Sequence, residues 1–336
     1  MLPDPQPIYL RLELTLEALP GHGGRPPSPF PGSVLRGMLG KALVDRFCPF
    51  GEPRCNAKPG RPVPETATGR SGQKPPRPPT PSDLCRLAPA CPYGVLYAGS
   101  LTRRPPFALY AHQGGPAPAA EARLELTLYG PAWRDHAWVL WGLQAALAER
   151  VGKGGGWRIA GVARVRPNRL SEPLAGADLR NLPADLQPDL LGLSPEPFLA
   201  PAPIEIRLLS PTKLLLDGRP VPRNEPIPFG LLVKSTLDRF EALYGPEASP
   251  VLTKEIRAVV EAEAAKVELL DHDLRPADTT HHSKRSRHTL DLGGTVGRLV
   301  YGPEAAGFFH ILRAAEVLHL GKNPTFGCGR IQASLV

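Results

Sequence analysis

The sequence HLGKNPTFGCGRIQASLV, residues 319–336, decides how the whole chain is interpreted. It follows a helical pattern over residues 303–318 and ends in a predicted strand, residues 330–336. Glycine allows close backbone approach, and backbone N–H groups beside basic side chains can cradle phosphate. The residues concerned are Gly321, Lys322, Gly327, Gly329 and Arg330. We predict that they contact phosphate groups; the alternative is a tight helix-to-strand turn without a ligand.

A second polar stretch, HHSKRSRH, occupies residues 281–288. It has no hydrophobic periodicity, which predicts a solvent-exposed loop or sheet edge. Arginine and lysine there can bind phosphate, and guanidinium groups also stack on bases. We predict contacts to RNA from Lys284, Arg285 and Arg287; the alternative is a charged loop that binds nothing.

Working outward from this end, strands and helices recur in one order, which predicts an α+β fold made of two βαββαβ units. The first unit has a strand at 8–18, a helix at 33–47, strands at 94–99, 106–112 and 122–130, a helix at 133–149 and a strand at 157–165. The second unit starts with a strand at 204–209, a helix beginning within 228–240 and a helix at 254–265. It continues with strands at 267–271 and 297–301 before the helix at 303–318 and the last strand.

These patterns predict the domain boundaries. The first domain covers residues 1–167 and includes a cysteine- and proline-rich insertion at 48–92, in which no regular element fits. A proline- and leucine-rich connector covers 168–202, and the second domain covers 203–336 with the glycine-rich loop at 321–330.

Composition narrows the class of protein. The formal net charge is +8 and the sequence pI is near 9.4, which favours a polyanionic partner such as nucleic acid. Codon usage in a high-GC genome would also enrich arginine. The chain has no apolar run long enough to cross a bilayer and no signal-peptide pattern at its start, so we expect a cytoplasmic protein.

The C-terminal motifs occur in a fixed order: a basic Ser/Arg stretch, an LGG-x-xG turn and the glycine-rich loop before the last strand. The residues are Ser283, Lys284, Arg285 and Arg287; Leu292, Gly293, Gly294 and Gly297; and Gly321, Lys322, Phe326, Gly327, Gly329 and Arg330. This order resembles the C-terminal half of the CRISPR-associated protein 6 family, in the RAMP group. The resemblance implies two ferredoxin-like halves. It also implies an endoribonuclease that cuts CRISPR repeat RNA into mature guide RNA without metal, leaving a 2′,3′-cyclic phosphate.

Cleavage of RNA without metal needs a base, an acid and a cation near the phosphate, and histidine can be the base or the acid. His22 lies between the first strand and first helix, where several subfamilies of the resembled family place a catalytic histidine. The other candidates are His281, His282 and His288, with Lys284 as the cation. His136, His310 and His319 lie on or beside predicted helices and are expected to pack or cap.

Four cysteines lie within the predicted insertion 48–92 with the spacing C-x6-C-x29-C-x5-C: Cys48, Cys55, Cys85 and Cys91. In a cytosolic protein this favours a structural zinc site, although the spacing is not the familiar C-x2-C. Free thiols or disulfides are the alternatives. Cys328, in the glycine-rich loop, is expected to be a small packing residue.

Three functions are therefore open: a metal-independent endoribonuclease, a non-catalytic RNA-binding subunit of a CRISPR effector complex, and a protein-interaction module whose zinc insertion docks a partner. The first two require a basic cleft between the halves, to which Arg36 and Lys41 on the first helix are expected to contribute. The expected partners are CRISPR repeat RNA and other Cas proteins of an effector complex.

Overall fold

The computed structural model describes residues 6–19, 32–48, 91–97, 104–112, 121–149, 156–183, 185–193, 200–248, 253–282 and 289–336. The first half contains β1 (Ile8–Ala18), α1 (Gly32–Phe47), α2 (Pro92–Tyr97), β2 (Phe107–Ala111), β3 (Glu121–Tyr129), α3 (His136–Ala148), β4 (Trp157–Val165), β5 (Ser171–Ala175) and β6 (Asp189–Leu190). The second half contains β7 (Ile204–Thr212), β8 (Leu215–Leu216), β9 (Arg219–Pro220), α4 (Phe229–Tyr244), α5 (Lys254–Ala264), β10 (Leu269–Ala277), β11 (Thr280–His282), β12 (Thr289–Asp291), β13 (Gly294–Tyr301), α6 (Phe309–Leu318) and β14 (Ile331–Leu335). No helix in the described ranges is long and apolar enough to cross a membrane.

The first half is an antiparallel sheet with strand order β2-β3-β1-β4-β5, to which β6 adds beside β1. The leucines of β1 alternate with polar residues, so they share one face of the sheet. That face packs against α1 and α3, and the leucines are fully buried. Gly142 of α3 permits close helix packing, because a Cβ there would lie 2.9 Å from Leu43 Cδ2.

The second half is an antiparallel sheet with strand order β10-β13-β7-β14. Its inner face packs on α4 and α6, with Ile206, Leu299 and Ile331 in the core. In both halves the strands of a strand–helix–strand–strand–helix–strand unit therefore stand in the order 2-3-1-4. The predicted mixture of helices and antiparallel strands is confirmed.

One sequence prediction is wrong. Residues 94–99 were expected to be a strand, but α2 covers Pro92–Tyr97, and Val95 and Leu96 of this helix pack into the first core. An apolar run this short fits a strand or a buried helical turn equally well. The predicted connector 168–202 contributes β5 and β6 to the first sheet.

The two halves meet where the outer face of the first sheet covers α4 and α6. Tyr9 and Tyr129 of the sheet pack with Phe240 and Val317 of the helices. Two hydroxyl groups cross this contact: Tyr129 donates to the Val317 carbonyl at 2.7 Å, and Tyr244 donates to the Ile8 carbonyl at 3.0 Å. The apolar burial fixes the halves against each other, and the tyrosine hydroxyls find acceptors there.

The outer hydrogen-bonding edge of β14 is occupied by side chains from both halves. The Ala333 N–H donates to Oε1 of Glu316 at 2.7 Å, and Arg169 of the connector donates to the Ala333 carbonyl. Arg169 and Arg313 also form ion pairs with the Glu316 carboxylate, which is 2% exposed. A carboxylate and a guanidinium thus take the places that a neighbouring strand would take.

A buried ionic cluster lies in the contact between the halves. The carboxylate of Glu125 on β3 accepts from Arg11 Nη2 at 2.6 Å and lies 3.1 Å from Arg330 Nε. His319, at the C-terminal end of α6, places Nε2 3.8 Å from Glu125 Oε1. The four side chains are each at least nine-tenths buried. Their charges therefore depend on one another for compensation, because water does not reach them.

This cluster predicts acid sensitivity. Burial lowers the pKa of His319 to about 4, whereas an unfolded chain has the ordinary value of 6.5. Between these values the unfolded state binds the extra proton, so the free energy of unfolding falls as pH drops from about 6.5 towards 4. Replacing His319 with asparagine, which removes the titratable ring, should flatten that pH dependence. Urea denaturation from pH 4 to 7 tests this; an unchanged slope in the variant would contradict it.

Candidate nucleic-acid interface

A basic cleft of about 420 Å³ opens between the two halves. The N-terminal half of α1 and the residues before β2 form one side, and the start of α4, Lys213 and the glycine-rich loop form the other. Its charged lining residues are Arg36, Arg104, Lys213, Lys234, Asp238, Arg239 and Lys322. Because one acidic residue faces six basic ones, the cleft attracts anions. We call it the basic cleft.

Arg36 of α1 is held by the glycine-rich loop. Its Nε donates to Oγ1 of Thr325 at 3.1 Å, and its guanidinium carbon lies 4.7 Å from the Phe326 ring centroid and 5.0 Å from that of Tyr97. The Tyr97 hydroxyl donates to the Arg36 carbonyl at 2.7 Å. The guanidinium is therefore fixed between two aromatic rings with its charge retained. The predicted role of Arg36 as an RNA contact fits this position. Lys41 pairs with Asp45 on the exposed face of α1 and does not line the basic cleft.

The glycines of the loop bring protein backbone against protein backbone. Gly321 and Gly329 have φ of 69° and 77°, and a Cβ would lie 2.3 Å from the Lys213 carbonyl oxygen and 1.9 Å from that of Leu320. Gly327, with φ of 89°, lies beside the Leu109 carbonyl of β2. The glycines thus build a tight turn that carries Lys322, an exposed residue, to the basic cleft, and their contact with phosphate stays a prediction.

The placement of Arg330 does not support the predicted RNA contact. Its side chain is buried, pairs with Glu125, and donates to the Glu316 carbonyl at 3.2 Å. The neighbouring Cys328 is buried as predicted, and burial raises the pKa of its thiol to about 12. These two residues stabilise the contact between the halves and the last turn.

The basic stretch, residues 281–288, begins in β11, the first strand of a hairpin beside the basic cleft. Strands β11 and β12 pair His281 with Leu290, and the predicted residues Lys284, Arg285, Arg287 and His288 lie outside the described residues. The base of the hairpin is anchored by Asp291, which accepts from Lys213 at 2.8 Å and Arg223 at 2.7 Å. These cations, with the Gly293 N–H, lower the pKa of Asp291 to about 2. Lys213 thus connects the hairpin directly to the basic cleft.

Of the predicted catalytic histidines, the ring of His281 lies 5.7 Å from the Phe326 ring, which lines the basic cleft. His22 and the side chain of His282 lie outside the described residues. His136 and His319 are buried, as expected of packing residues: His136 Nδ1 lies 2.9 Å from the Trp133 carbonyl, and His319 Nδ1 lies 3.2 Å from that of Cys328.

The cysteines are only partly described. Cys48 follows the last residue of α1, Cys91 precedes α2, and both are half-buried, whereas Cys55 and Cys85 lie outside the described residues. Within the described ranges, no group of three or more His, Cys, Asp or Glu side chains could hold a metal ion. Two ligands of the predicted four cannot make a closed tetrahedral site, so zinc stays a prediction.

Sequence reasoning missed four basic residues of the cleft: Arg104, Lys213, Lys234 and Arg239. They come from three separate segments that only the fold brings together. A local signal existed for Lys234, since it precedes Asp238 by one helical turn and pairs with it at 2.9 Å. For Arg239 no local signal existed, because an arginine on a helix is ordinarily exposed.

Comparison with known proteins agrees with this architecture. The sequence model of the family CRISPR-associated endoribonuclease Cas6 matches residues 206–331. The structure of Thermus thermophilus Cas6 is similar with a TM-score of 0.51 at 16% identity, over 98% of this chain and 99% of that one. The product complex of the same Thermus protein gives 0.53 at 17% identity, over the same shares.

A partial Cas6-RT-Cas1–Cas2 complex gives a TM-score of 0.53 at 11% identity, over 100% of this chain and 47% of that one. No curated protein sequence matches the chain. At such identities the structures establish the fold, while the motifs of the C-terminal half match the family sequence. Residues 206–331 thus match the Cas6 family in sequence, and nearly the whole length of the chain has the fold of the Thermus Cas6 structures.

Proposed function

We propose that this chain binds CRISPR repeat RNA and cuts it once, without metal, to give mature guide RNA with a 2′,3′-cyclic phosphate. The observation that carries this proposal is the basic cleft. Six cationic side chains line it, and most of them lie in or beside the segment that matches the Cas6 family. Their charge would neutralise RNA phosphates and release counterions, which gives binding energy.

The chemistry requires three roles. A base removes the proton of the 2′-hydroxyl group, which attacks the adjacent phosphorus. An acid protonates the departing 5′-oxygen, and a cation stabilises the charge that develops on the phosphate oxygens. The phosphorus–O5′ bond breaks as the phosphorus–O2′ bond forms, and the 2′,3′-cyclic phosphate results.

The candidate residues for these roles are the ones that the sequence predicted. His22 is proposed as base or acid, and His281, His282 and His288 are the alternatives, with Lys284 as the cation. The position of the His281 ring near Phe326 supports the second group, because it places a histidine beside the basic cleft. Arg285 and Arg287 are proposed to extend RNA binding along the hairpin.

The decisive experiment is incubation of the purified protein with repeat RNA in EDTA. The wild type is compared with His22→Ala and with a variant in which His281, His282 and His288 are all alanine. We expect a single cut in the wild type and a loss of about 100-fold or more in one variant, as removal of a general acid or base produces. His136→Ala serves as the control, because His136 packs in α3.

Tight binding without a cut in the wild type would overturn the enzymatic proposal. The chain would then be a non-catalytic RNA-binding subunit of a CRISPR effector complex. Absence of binding at low salt would overturn both functions and leave a protein-interaction module. Mass analysis of the cut 5′ fragment identifies the cyclic phosphate.

Two finer proposals accompany this function. Each half is proposed to be a ferredoxin-like unit, which is supported by the shared strand order of the two sheets. Association with other Cas proteins is also proposed, supported by the likeness to about half of a chain in the partial Cas6-RT-Cas1–Cas2 complex, of which 47% is covered.

A further inference from the structure

Arg239 of α4 lies in the wall of the basic cleft but is almost entirely buried, with 9% of its surface exposed. Its Nε donates to the Leu318 carbonyl at the end of α6, and its guanidinium carbon lies 5.7 Å from the Tyr129 ring centroid. Its Nη2 is buried without a hydrogen-bond partner in the described part of the chain. A side-chain hydrogen bond to Tyr129 engages part of the guanidinium, and Nη2 is the donor group that the described protein groups leave unused.

The other buried arginines are compensated. Arg11 and Arg330 share the carboxylate of Glu125, and Arg164 pairs with Asp189 at 2.6 Å. The acidic neighbour of Arg239, Asp238, pairs with Lys234 and Arg257 instead. Within the described ranges, Arg239 is thus the buried arginine that forms no ion pair. Desolvation lowers its pKa, yet arginine stays protonated in proteins, so a buried positive charge remains.

A buried charge without a counterion is costly, and an anion that enters the cleft would remove the cost. The surrounding groups select the anion. Arg36 and Lys322 face the same cleft, and the described residues offer neither of them a carboxylate partner. A volume of about 420 Å³ is that of a small-ligand pocket, too small to admit a duplex. Single-stranded RNA can bring one phosphate inside, because its backbone is not held in a helix.

We propose that Arg239 binds one phosphate group of single-stranded RNA at the buried end of the basic cleft. This rests on the proposed function. Arg239 is a positioning residue: it fixes the strand by a contact at one phosphate, and Arg36 and Lys322 hold the flanking backbone. The contact does not depend on base identity, so every single-stranded sequence benefits.

The test measures binding of fluorescein-labelled hexauridylate by anisotropy, to wild type, Arg239→Gln and Arg180→Gln. Arg180 is exposed, pairs with Asp178, and lies outside the basic cleft, so its variant loses the same charge. We expect Arg239→Gln to bind roughly 10- to 100-fold more weakly, as for a lost charge-assisted hydrogen bond. The slope of log affinity against log salt should fall by about one. Arg180→Gln should match the wild type within about twofold.

Equal binding by Arg239→Gln and Arg180→Gln would overturn the inference, while cleavage of repeat RNA would still support the proposed function. Since Arg239 also contacts Leu318, Arg239→Lys is measured as well, together with thermal unfolding of each variant. Lysine retains the charge and should recover part of the affinity. Inorganic phosphate and hexauridylate are also compared for how far each raises the unfolding temperature of the wild type, at the same concentration of phosphate groups. Equal rises would show that the site binds a free anion and would overturn the RNA proposal.

Discussion

Replacing Glu125 with alanine is expected to lower the free energy of unfolding by about 3–5 kcal/mol. The carboxylate compensates Arg11 and Arg330 in a region that water does not reach. Those two arginines come from different halves, so the variant leaves two like charges facing each other across the contact. The pKa of Glu125 is held well below its ordinary value by Arg330 and Arg11 despite burial, so the charge is present at neutral pH. Urea denaturation measures the effect.

The matched control is Glu17→Ala. Glu17 also pairs with an arginine, Arg158, at 2.7 Å, but both side chains are exposed. Exposed pairs contribute about 0–1 kcal/mol. If Glu125→Ala cost no more than Glu17→Ala, the buried cluster would not stabilise the contact between the halves.

Replacing Gly329 with alanine is expected to lower the free energy of unfolding by about 3 kcal/mol and to abolish binding to repeat RNA. The residue has φ of 77°, a conformation that costs an L-residue about 1–2 kcal/mol. The added Cβ would lie 1.9 Å from the Leu320 carbonyl oxygen, which is backbone and has no rotamer to yield. The turn must shift, and the turn carries Lys322, Thr325 and Phe326 to the basic cleft.

Gly37→Ala tests whether this effect belongs to the turn. Gly37 lies within α1, and nothing is within 4 Å of its added Cβ. Alanine in a helix interior is favoured over glycine by about 0.5–1 kcal/mol, so this variant should gain stability and keep RNA binding. Calorimetric melting and a gel shift compare the two variants. A stable Gly329→Ala protein that still bound RNA would show that the turn can move without loss.

Much of the fold could be predicted because alternation and helical spacing are local signals. The bounds of β1 and β4 were predicted to the residue, and α3 and α6 within one turn once their initial 3-10 turns are included. The prediction was wrong at α2, whose six residues are too few to display a period. The tertiary contacts of residues 171–175 and 189–190 could not be predicted, since strand pairing with β4 and β1 joins distant segments.

Part of the candidate site could likewise be predicted from the sequence, and part could not. The glycine-rich loop and Arg36 were found from sequence because glycine spacing and a helix start are visible along the chain. Arg11 and Glu125 resembled solvent-facing residues of half-buried strands, and only the second half of the chain makes their face an interior. Arg330 resembled an RNA contact for the same reason: a charge beside glycines attracts phosphate unless a carboxylate from another domain already holds it.

The occupied edge of β14 limits how this protein can associate with other chains. An open sheet edge is a template on which a further strand can add, which leads to oligomers or fibrils. Glu316 and Arg169 satisfy the Ala333 backbone, so an incoming strand would have to displace two charged groups that are already paired. At this edge the protein thereby avoids growth by sheet extension, even at high local concentration.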